Sequence, residues 1–502
     1  MTVSRADVAR AAGTSTLARL GAVVEIAATP ALTWLFGVPA FGVYTVLAAA
    51  VTLGAGSVDL AMPTVLQRIV PQAATEREAL GAVNWALLLG TLPSLLIAVA
   101  VSVAAPEIAA AINAAPADRP ALALAVALFG WALPLTSLVE VATAAVRARH
   151  AFGPEIRLRV VWEQVARVAA ALLLWAAWGG RNAALALAVA HLASLVVVAG
   201  LALRLVARFY DPRALAAAPL DADQARAMLA YGLGIIPANA LRRALTDLPP
   251  IILNRALPGV SGATAAGLYG IARKLSSVPQ LVRTIFAYVM APLASAQAAR
   301  DVAGIAPLYG FATRLATALV LPLAALIAAL GTPLLGVFAP GGAAALPLLL
   351  WLVAARAAEA VAGPASAVVE ILGSRWRPTL NALLGFATWV GLALWLVPAY
   401  SATGMAAAVG AAIVVSAWAA VAELATTERL APFAPPLPRT LAIAATGSAM
   451  TLLLGAVAWP LAVLVAFAGA WLALRFGLSR DDRAALGSAA VRLRLVSRPQ
   501  PA

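Results

Sequence analysis

Charged and polar residues stand inside otherwise apolar stretches of this sequence, at spacings that gather them on helix faces. At about 100° per residue, Asn239, Arg243, Asp247, Pro250 and Asn254 fall within about 80° of arc. Tyr269, Arg273, Ser277, Gln280 and Thr284 do the same, as do Arg356, Glu359, Gly363, Ser366 and Glu370. An ionised side chain at mid-bilayer costs about 2.5–3.5 kcal/mol on insertion scales, so these stripes should face protein or water. On the three segments Arg242, Arg243, Arg273, Lys274, Arg283 and Arg356 outnumber Asp247, Glu359 and Glu370. A guanidinium forks two phosphate oxygens and an ammonium acts as a point charge. A hydrated cavity lined by Arg243, Asp247, Arg273, Lys274, Arg283, Arg356 and Glu359 would therefore suit a pyrophosphate. The competing reading is helix-to-helix glue, because Arg243–Asp247 and Arg356–Glu359 stand at i,i+4 and i,i+3. Glue, however, needs no surplus of cations.

The first half carries stripes of the opposite sign. Glu25, Thr29 and Thr33 align, as do Thr45, Thr52, Gly56, Asp59 and Pro63, and Thr136, Glu140, Thr143 and Arg147. Glu163 and Arg167 stand one turn apart. Glu25 and Asp59 are the candidates for binding a coupling ion, Na⁺ or H⁺. His191 is alone in an apolar stretch, where packing or one interhelical hydrogen bond accounts for it. No histidine pair, Ser-His-Asp set, phosphate loop or metal-ligand spacing appears, so no catalytic site, cofactor or metal is expected.

The elements that must position these residues follow from composition. Of 502 residues, 63% are hydrophobic and 11% charged, against about 25% charged in a soluble domain. That excludes a soluble enzyme and a disordered chain. With no cysteine, disulfides and thiol chemistry are excluded as well. The net charge of +14 does not imply nucleic acid, because the basic residues are dispersed between apolar runs. The fold expected is an all-α polytopic membrane protein with about 14 spans. These lie at about 17–37, 41–66, 80–104, 121–146, 156–179, 183–207, 230–255, 263–292, 308–336, 345–372, 378–398, 402–426, 439–457 and 459–477. The last pair turns at Trp459-Pro460 and reads as one span or two.

Of the 35 Lys and Arg residues, 24 fall in the N-terminus, the alternate loops on its side, or the C-terminus; three, Arg119, Arg181 and Arg255, fall on the other side. This bias predicts that both termini are cytoplasmic. One Lys against 34 Arg, with abundant Ala, suggests a GC-rich bacterium and hence its cytoplasmic (inner) membrane.

Phe41-Gly42-Val43-Tyr44 opens the second span and Ala266-Gly267-Leu268-Tyr269 the eighth, 225 residues later. A shift of six spans preserves orientation, which predicts two six-helix lobes in parallel repeat around a central cavity. The expected organisation is an interfacial segment 1–16, an N-lobe 17–207, a linker 208–229, a C-lobe 230–427, an extra helix pair 428–477 and a basic tail 478–502. Asp221 and Asp223 can cap the helix that follows the linker, and the tail would rest on the anionic inner leaflet.

Leu35-Phe36-Gly37-Val38-Pro39-Ala40-Phe41-Gly42-Val43-Tyr44, with Asp59-Leu60-Ala61 and Arg68, resembles the first two helices of polysaccharide flippases. These are the Wzx-type members of the multidrug/oligosaccharidyl-lipid/polysaccharide (MOP) exporter superfamily. Gly234-Ile235-Ile236-Pro237 with Asp247, Gly267-x-Tyr269-x-x-Ala272, and Ala145-x-Arg147-Ala148-Arg149-x-x-Phe152-Gly153 resemble later segments of the same family. Together the motifs cover the chain to about residue 300; Ala61 departs from the glycine common at that turn. The resemblance implies translocation of a polyprenyl-diphosphate-linked oligosaccharide in O-antigen or exopolysaccharide synthesis. It implies membrane lipids and the lipid-linked oligosaccharide as partners, with a polysaccharide polymerase as a candidate protein partner.

A cation-coupled multidrug antiporter of the same fold is the alternative. It would want an anionic, Met- or aromatic-rich cavity, whereas this chain has six Met and a cationic second half. A membrane-bound polymerase or ligase would need a sizeable outer loop, and none exceeds about 16 residues. A major-facilitator carrier is disfavoured, because Arg68 to Glu78 lacks that family's basic signature.

Overall fold

The computed structural model describes residues 21–149, 157–218, 220–298, 304–372, 376–433 and 435–495. The side chains of Glu25 and Arg283 lie outside the described residues, as does the segment 1–16. Among the described residues all regular structure is helical, and each predicted span carries helix. Among the described residues, nine stretches are long and apolar enough to cross a membrane. The chain divides into two compact units: Leu20–Gly270 with Phe338–Pro340, and Ile271–Val337 with Gly341–Ala502.

The first unit begins with α1 (Gly21–Val58), whose backbone is non-helical at Gly37 (φ 82°, ψ 159°). This is where the sequence separates spans one and two. Positive φ at Leu60 and Ala61 then ends α1 and starts α2 (Met62–Gln72), with Pro63 inside the first turn, where a missing N–H is tolerated. Next come α3 (Glu76–Val103), capped by Thr75, and the short α4 (Ala105–Ala111). α5 (Arg119–Gly130) and α6 (Ala132–Ala148) make one span with a break at Trp131. A π-helical turn, Arg157–Trp162, leads into α7 (Glu163–Trp178). α8 (Ala183–Phe209) and the short α9 (Pro212–Ala217) follow. The N-terminus of α10 (Ala222–Ala256) is capped by Asp221, which accepts from the Asp223 N–H at 3.0 Å. The unit ends within α11 (Gly259–Ala298).

Its core gathers apolar side chains from α2, α3, α6, α8 and α10, including Met62, Leu66, Val83, Val141, Val206 and Met228. His191 sits in a second, aromatic cluster: its ring stacks on Phe129 at 4.9 Å and its Nδ1 lies 3.2 Å from the Tyr44 hydroxyl. The two glycines of the sequence repeat meet each other. A methyl placed on Gly267 would stand 3.2 Å from the Gly42 nitrogen, and one on Gly42 would overlap the Ala263 carbonyl. Only glycine allows α1 and α11 to approach this closely.

The second unit comprises the rest of α11, then α12 (Ile305–Ala329) and α13 (Gly331–Phe338). A 3₁₀ turn, Gly342–Ala345, opens α14 (Leu346–Ala362). α14 stops at Gly363 (φ 66°), and Pro364 precedes α15 (Ala365–Leu372). α16 (Arg377–Thr427) is broken at Ser401 (φ 51°, ψ −127°), between predicted spans eleven and twelve. α17 (Leu437–Gly455) and α18 (Trp459–Leu472) are separate helices, so two elements stand where the sequence left one or two open. A π-helical turn, Ala473–Gly477, and two short helices, α19 (Arg480–Ala485) and α20 (Ser488–Arg492), complete the described chain. The core here joins Tyr309, Phe311 and Leu315 of α12 to Val369, Val421, Ala444 and Leu474. The described tail packs onto this core through Leu495, and Trp471 donates to the Leu493 carbonyl at 2.9 Å.

Candidate functional site

Asp59 is set by the end of α1. The left-handed backbone at Leu60 and Ala61 turns the chain back, and the Asp59 Oδ1 accepts from the Ala61 N–H at 2.9 Å. The carboxylate is 2% exposed and lies in the fields of both Glu140 and Arg243. Asp, with its short acceptor, suits such a turn.

Arg243 projects from α10 across α1. Its NH1 donates to the Thr52 carbonyl at 2.7 Å, and its NH2 lies 3.5 Å from Glu140 Oε2. The guanidinium lies so close over Gly56 that a Cβ there would overlap it. Thr52, Gly56 and Asp59 share one helix face by their spacing, so the stripe read on span two is the floor on which Arg243 rests. On the other side of Glu140, the Arg159 NH2 donates to Oε1 at 3.2 Å from the π-helical turn before α7. Two carboxylates and two guanidiniums thus converge from α1, α6, the π-helical turn and α10. Glu140 is largely covered, whereas Arg243 and Arg159 keep part of their surface open.

Taking such charges from water is costly and is repaid only by good geometry and further hydrogen bonds. Here the Thr52 carbonyl supplies one of them. An anion arriving at Arg243 and Arg159 would compete with Glu140 for the same donors. Release of Glu140 would leave a carboxylate that needs a proton or a metal cation. The cluster can therefore couple the arrival of an anionic ligand to the uptake of a cation, without bond-making chemistry.

Sequence spacing suggested Arg243–Asp247 as a pair; Arg243 instead reaches α1 and α6, with the buried Asp247 one turn further along α10. Glu140 and Arg159 were missed as site residues. Glu140 was visible as an acid within an apolar span, a strong signal by itself, whereas Arg159 stood at a span boundary, where a cation is ordinary.

The remaining candidates belong to the second unit. Arg356 NH1 donates to Glu359 Oε2 at 2.8 Å along α14, the pairing its i,i+3 spacing allows. Its Nε is buried without a hydrogen-bond partner among the described residues, so the guanidinium retains a spare donor. Arg273 and Lys274 are half-buried on α11, and their backbone carbonyls accept from Ser276 and Ser277. Also in this unit, Arg314 and Asp482 form a buried pair. Asp482 lies outside the apolar spans. Burial alone would raise its carboxyl, but the Arg314 guanidinium and the Ser479 cap hold it below the ordinary carboxylate value. Among the described residues no group of three His, Asp or Glu side chains is arranged to hold a metal ion.

A family model described as polysaccharide biosynthesis protein matches residues 31–339. Comparison with curated proteins gives no match. Among solved structures, the lipid II flippase MurJ in an inward closed conformation is similar at a TM-score of 0.73 and 10% identity, over 91% of this chain and 97% of that one. An inward-facing multidrug resistance MATE family transporter of the MOP superfamily is similar at a TM-score of 0.59 and 15% identity, over 85% of this chain and 97% of that one. The Vibrio cholerae MATE transporter VcmN in its bent form gives 0.59 and 15%, over 85% and 98%. At such identities the likeness is one of fold. The family match covers more than half of the chain and the fold is that of the MurJ and MATE structures: the chain belongs to the polysaccharide biosynthesis protein family and is a multi-pass membrane protein with that fold.

Proposed function

We propose that this protein flips a polyprenyl-diphosphate-linked oligosaccharide from the cytoplasmic to the outer leaflet of a bacterial inner membrane, for O-antigen or exopolysaccharide synthesis. The observation that carries this reading is the match to a polysaccharide biosynthesis family in a chain with an exporter's fold. A headgroup of two phosphates and several sugars cannot cross hydrocarbon unaided. Alternating access of two lobes, with the prenyl tail left in lipid, would carry it across. Both termini are cytoplasmic in this reading.

Arg243, Arg273, Lys274, Arg283 and Arg356 bind the diphosphate, with Asp247 and Glu359 neutralising cations when the cavity is empty. The spare Nε donor of Arg356 and the open face of Arg243 support this role. Glu25 and Asp59 take up the coupling ion, Na⁺ or H⁺, and Asp59 shares its surroundings with Glu140 and Arg243. A polysaccharide polymerase would consume the delivered oligosaccharide.

The MATE-like fold favours a second reading, a cation-coupled multidrug antiporter. One experiment separates the two. Purified protein is titrated with a polyprenyl-diphosphate oligosaccharide, as wild type and with Arg243, Arg273 and Arg356 each changed to Ala. Binding that weakens in the variants while they remain folded supports the flippase. No binding, or equal binding without those arginines, overturns it, and binding of cationic drugs by the same preparation would install the antiporter.

A further inference from the structure

A cavity of about 570 Å³ lies between the π-helical turn that precedes α7 and the C-terminal end of α8. Ligand pockets generally occupy roughly 300–1,000 Å³. The walls are apolar: Leu158 and Trp162 on one side, Leu201, Leu205 and Phe209 on the other. At its rim stand Arg204 and Arg208, one helical turn apart and both exposed. Residues at that spacing hold their Cβ atoms roughly 5–6 Å apart.

Depth along the helix places this rim at a membrane boundary. α8 starts at Ala183, just after the Gly179-Gly180-Arg181 turn. At about 1.5 Å per residue, Arg204 stands about 32 Å along the axis, close to the roughly 30 Å thickness of the hydrocarbon core. Arg208 stands about 38 Å along, in the headgroup layer. Trp162 and Phe209 are 54% and 39% exposed, so the groove opens toward lipid.

Charge selects the occupant. Among the described residues the lining holds two guanidiniums and no carboxylate, and neither arginine has an ion pair or side-chain hydrogen bond there. Arg208, in the last turn, also complements the helix dipole; Arg204, a turn earlier, gains little from it. Basic pockets between spanning helices at a membrane surface suit anionic headgroups. A bilayer phospholipid is always present at this boundary, so mass action favours it over a scarce ligand. We infer that this groove binds an anionic glycerophospholipid, with its phosphate on Arg204 and Arg208 and an acyl chain along Trp162, Leu205 and Phe209.

The test uses the full chain in nanodiscs containing phosphatidylglycerol or phosphatidylcholine with brominated acyl chains, which quench nearby tryptophans. The Trp162 contribution is isolated as the difference between wild type and Trp162→Phe. Half-maximal quenching of that contribution is expected at a lower mole fraction of phosphatidylglycerol than of phosphatidylcholine. The preference should shrink about fivefold per arginine in Arg204→Gln and Arg208→Gln. It should persist, weakened, in the charge-retaining Arg204→Lys/Arg208→Lys variant. Equal quenching by the two lipids in wild type, or an unchanged preference without the arginines, overturns the inference. So does abolition of the preference by unbrominated polyprenyl diphosphate equimolar with the protein, because the groove would then be an entry site for that ligand.

Discussion

Arg314 and Asp482 form a two-pronged ion pair, Nε to Oδ2 and NH2 to Oδ1 each at 2.8 Å, with side chains 6% and 0% exposed. It ties the start of α12 to α19, 168 residues later. Ser479 and Asp482 close a reciprocal cap at the same point, so the carboxylate's remaining acceptor capacity is also used.

Asp482→Asn should cost about 3–5 kcal/mol, because it leaves the Arg314 charge buried without a counter-ion. The double change Arg314→Met/Asp482→Leu should cost less than the single one. Thermal unfolding in detergent reads both. The folded carboxyl lies below its ordinary value of 3.8. Its contribution is therefore intact above about pH 4 and lost as the pH falls through the folded value. Wild type should lose melting temperature below about pH 4 by more than the Asn variant does. Identical acid profiles would refute this.

Glu140→Gln should free Arg243 and Arg159 for an incoming diphosphate. Binding of the polyprenyl-diphosphate lipid is expected to tighten about tenfold, or about 1.4 kcal/mol, while transport slows for want of the exchanging carboxylate. Binding and flux measured on one preparation check this; weaker binding would contradict it.

Gly56→Ala should displace Arg243 from the Thr52 carbonyl, since the new methyl occupies the space of the guanidinium. A loss of about 1–3 kcal/mol in stability is expected. In the Arg243→Ala background the same change should be nearly neutral, so a double-mutant cycle should return most of that energy as coupling.

Asp59→Asn keeps an acceptor for the Ala61 N–H, so the turn should survive. Binding of the lipid-linked substrate should persist. Transport in proteoliposomes should lose its dependence on an imposed Na⁺ or proton gradient. Retention of the wild-type gradient dependence would remove Asp59 from the coupling role.

The helices were legible because their signals are local. Gly37, Ser401 and Trp459-Pro460 break the chain where apolar runs of spanning length meet. The stripes on spans two, four and seven were legible too, since a 3.6-residue period fixes which residues share a face. The partner across the interface was not. A helical wheel orients Arg243 without saying whether its neighbour is Asp247 on its own helix or Glu140 on α6. Arg159 and Arg314 stand near the ends of predicted spans, where orientation rules count charges and ignore pairing. Asp482 could not be matched to Arg314 without the packing of α19. Gly42 and Gly267 were read as two echoes of one motif, whereas the fold makes them neighbours.

That glycine contact has a consequence for how the sequence can change. Where side chains interlock, a larger residue on one helix can be accommodated by a smaller one opposite. Between Gly42 and Gly267 neither helix has a side chain to give up, and what a methyl on Gly42 would strike is the backbone of residue 263. The two positions therefore act as a single constraint with no compensating partner. A drifting sequence can leave it only by moving a whole helix, so substitutions here should be dead ends, whereas a changed side chain at a buried neighbour such as Phe41 can be met by a change in the side chains around it.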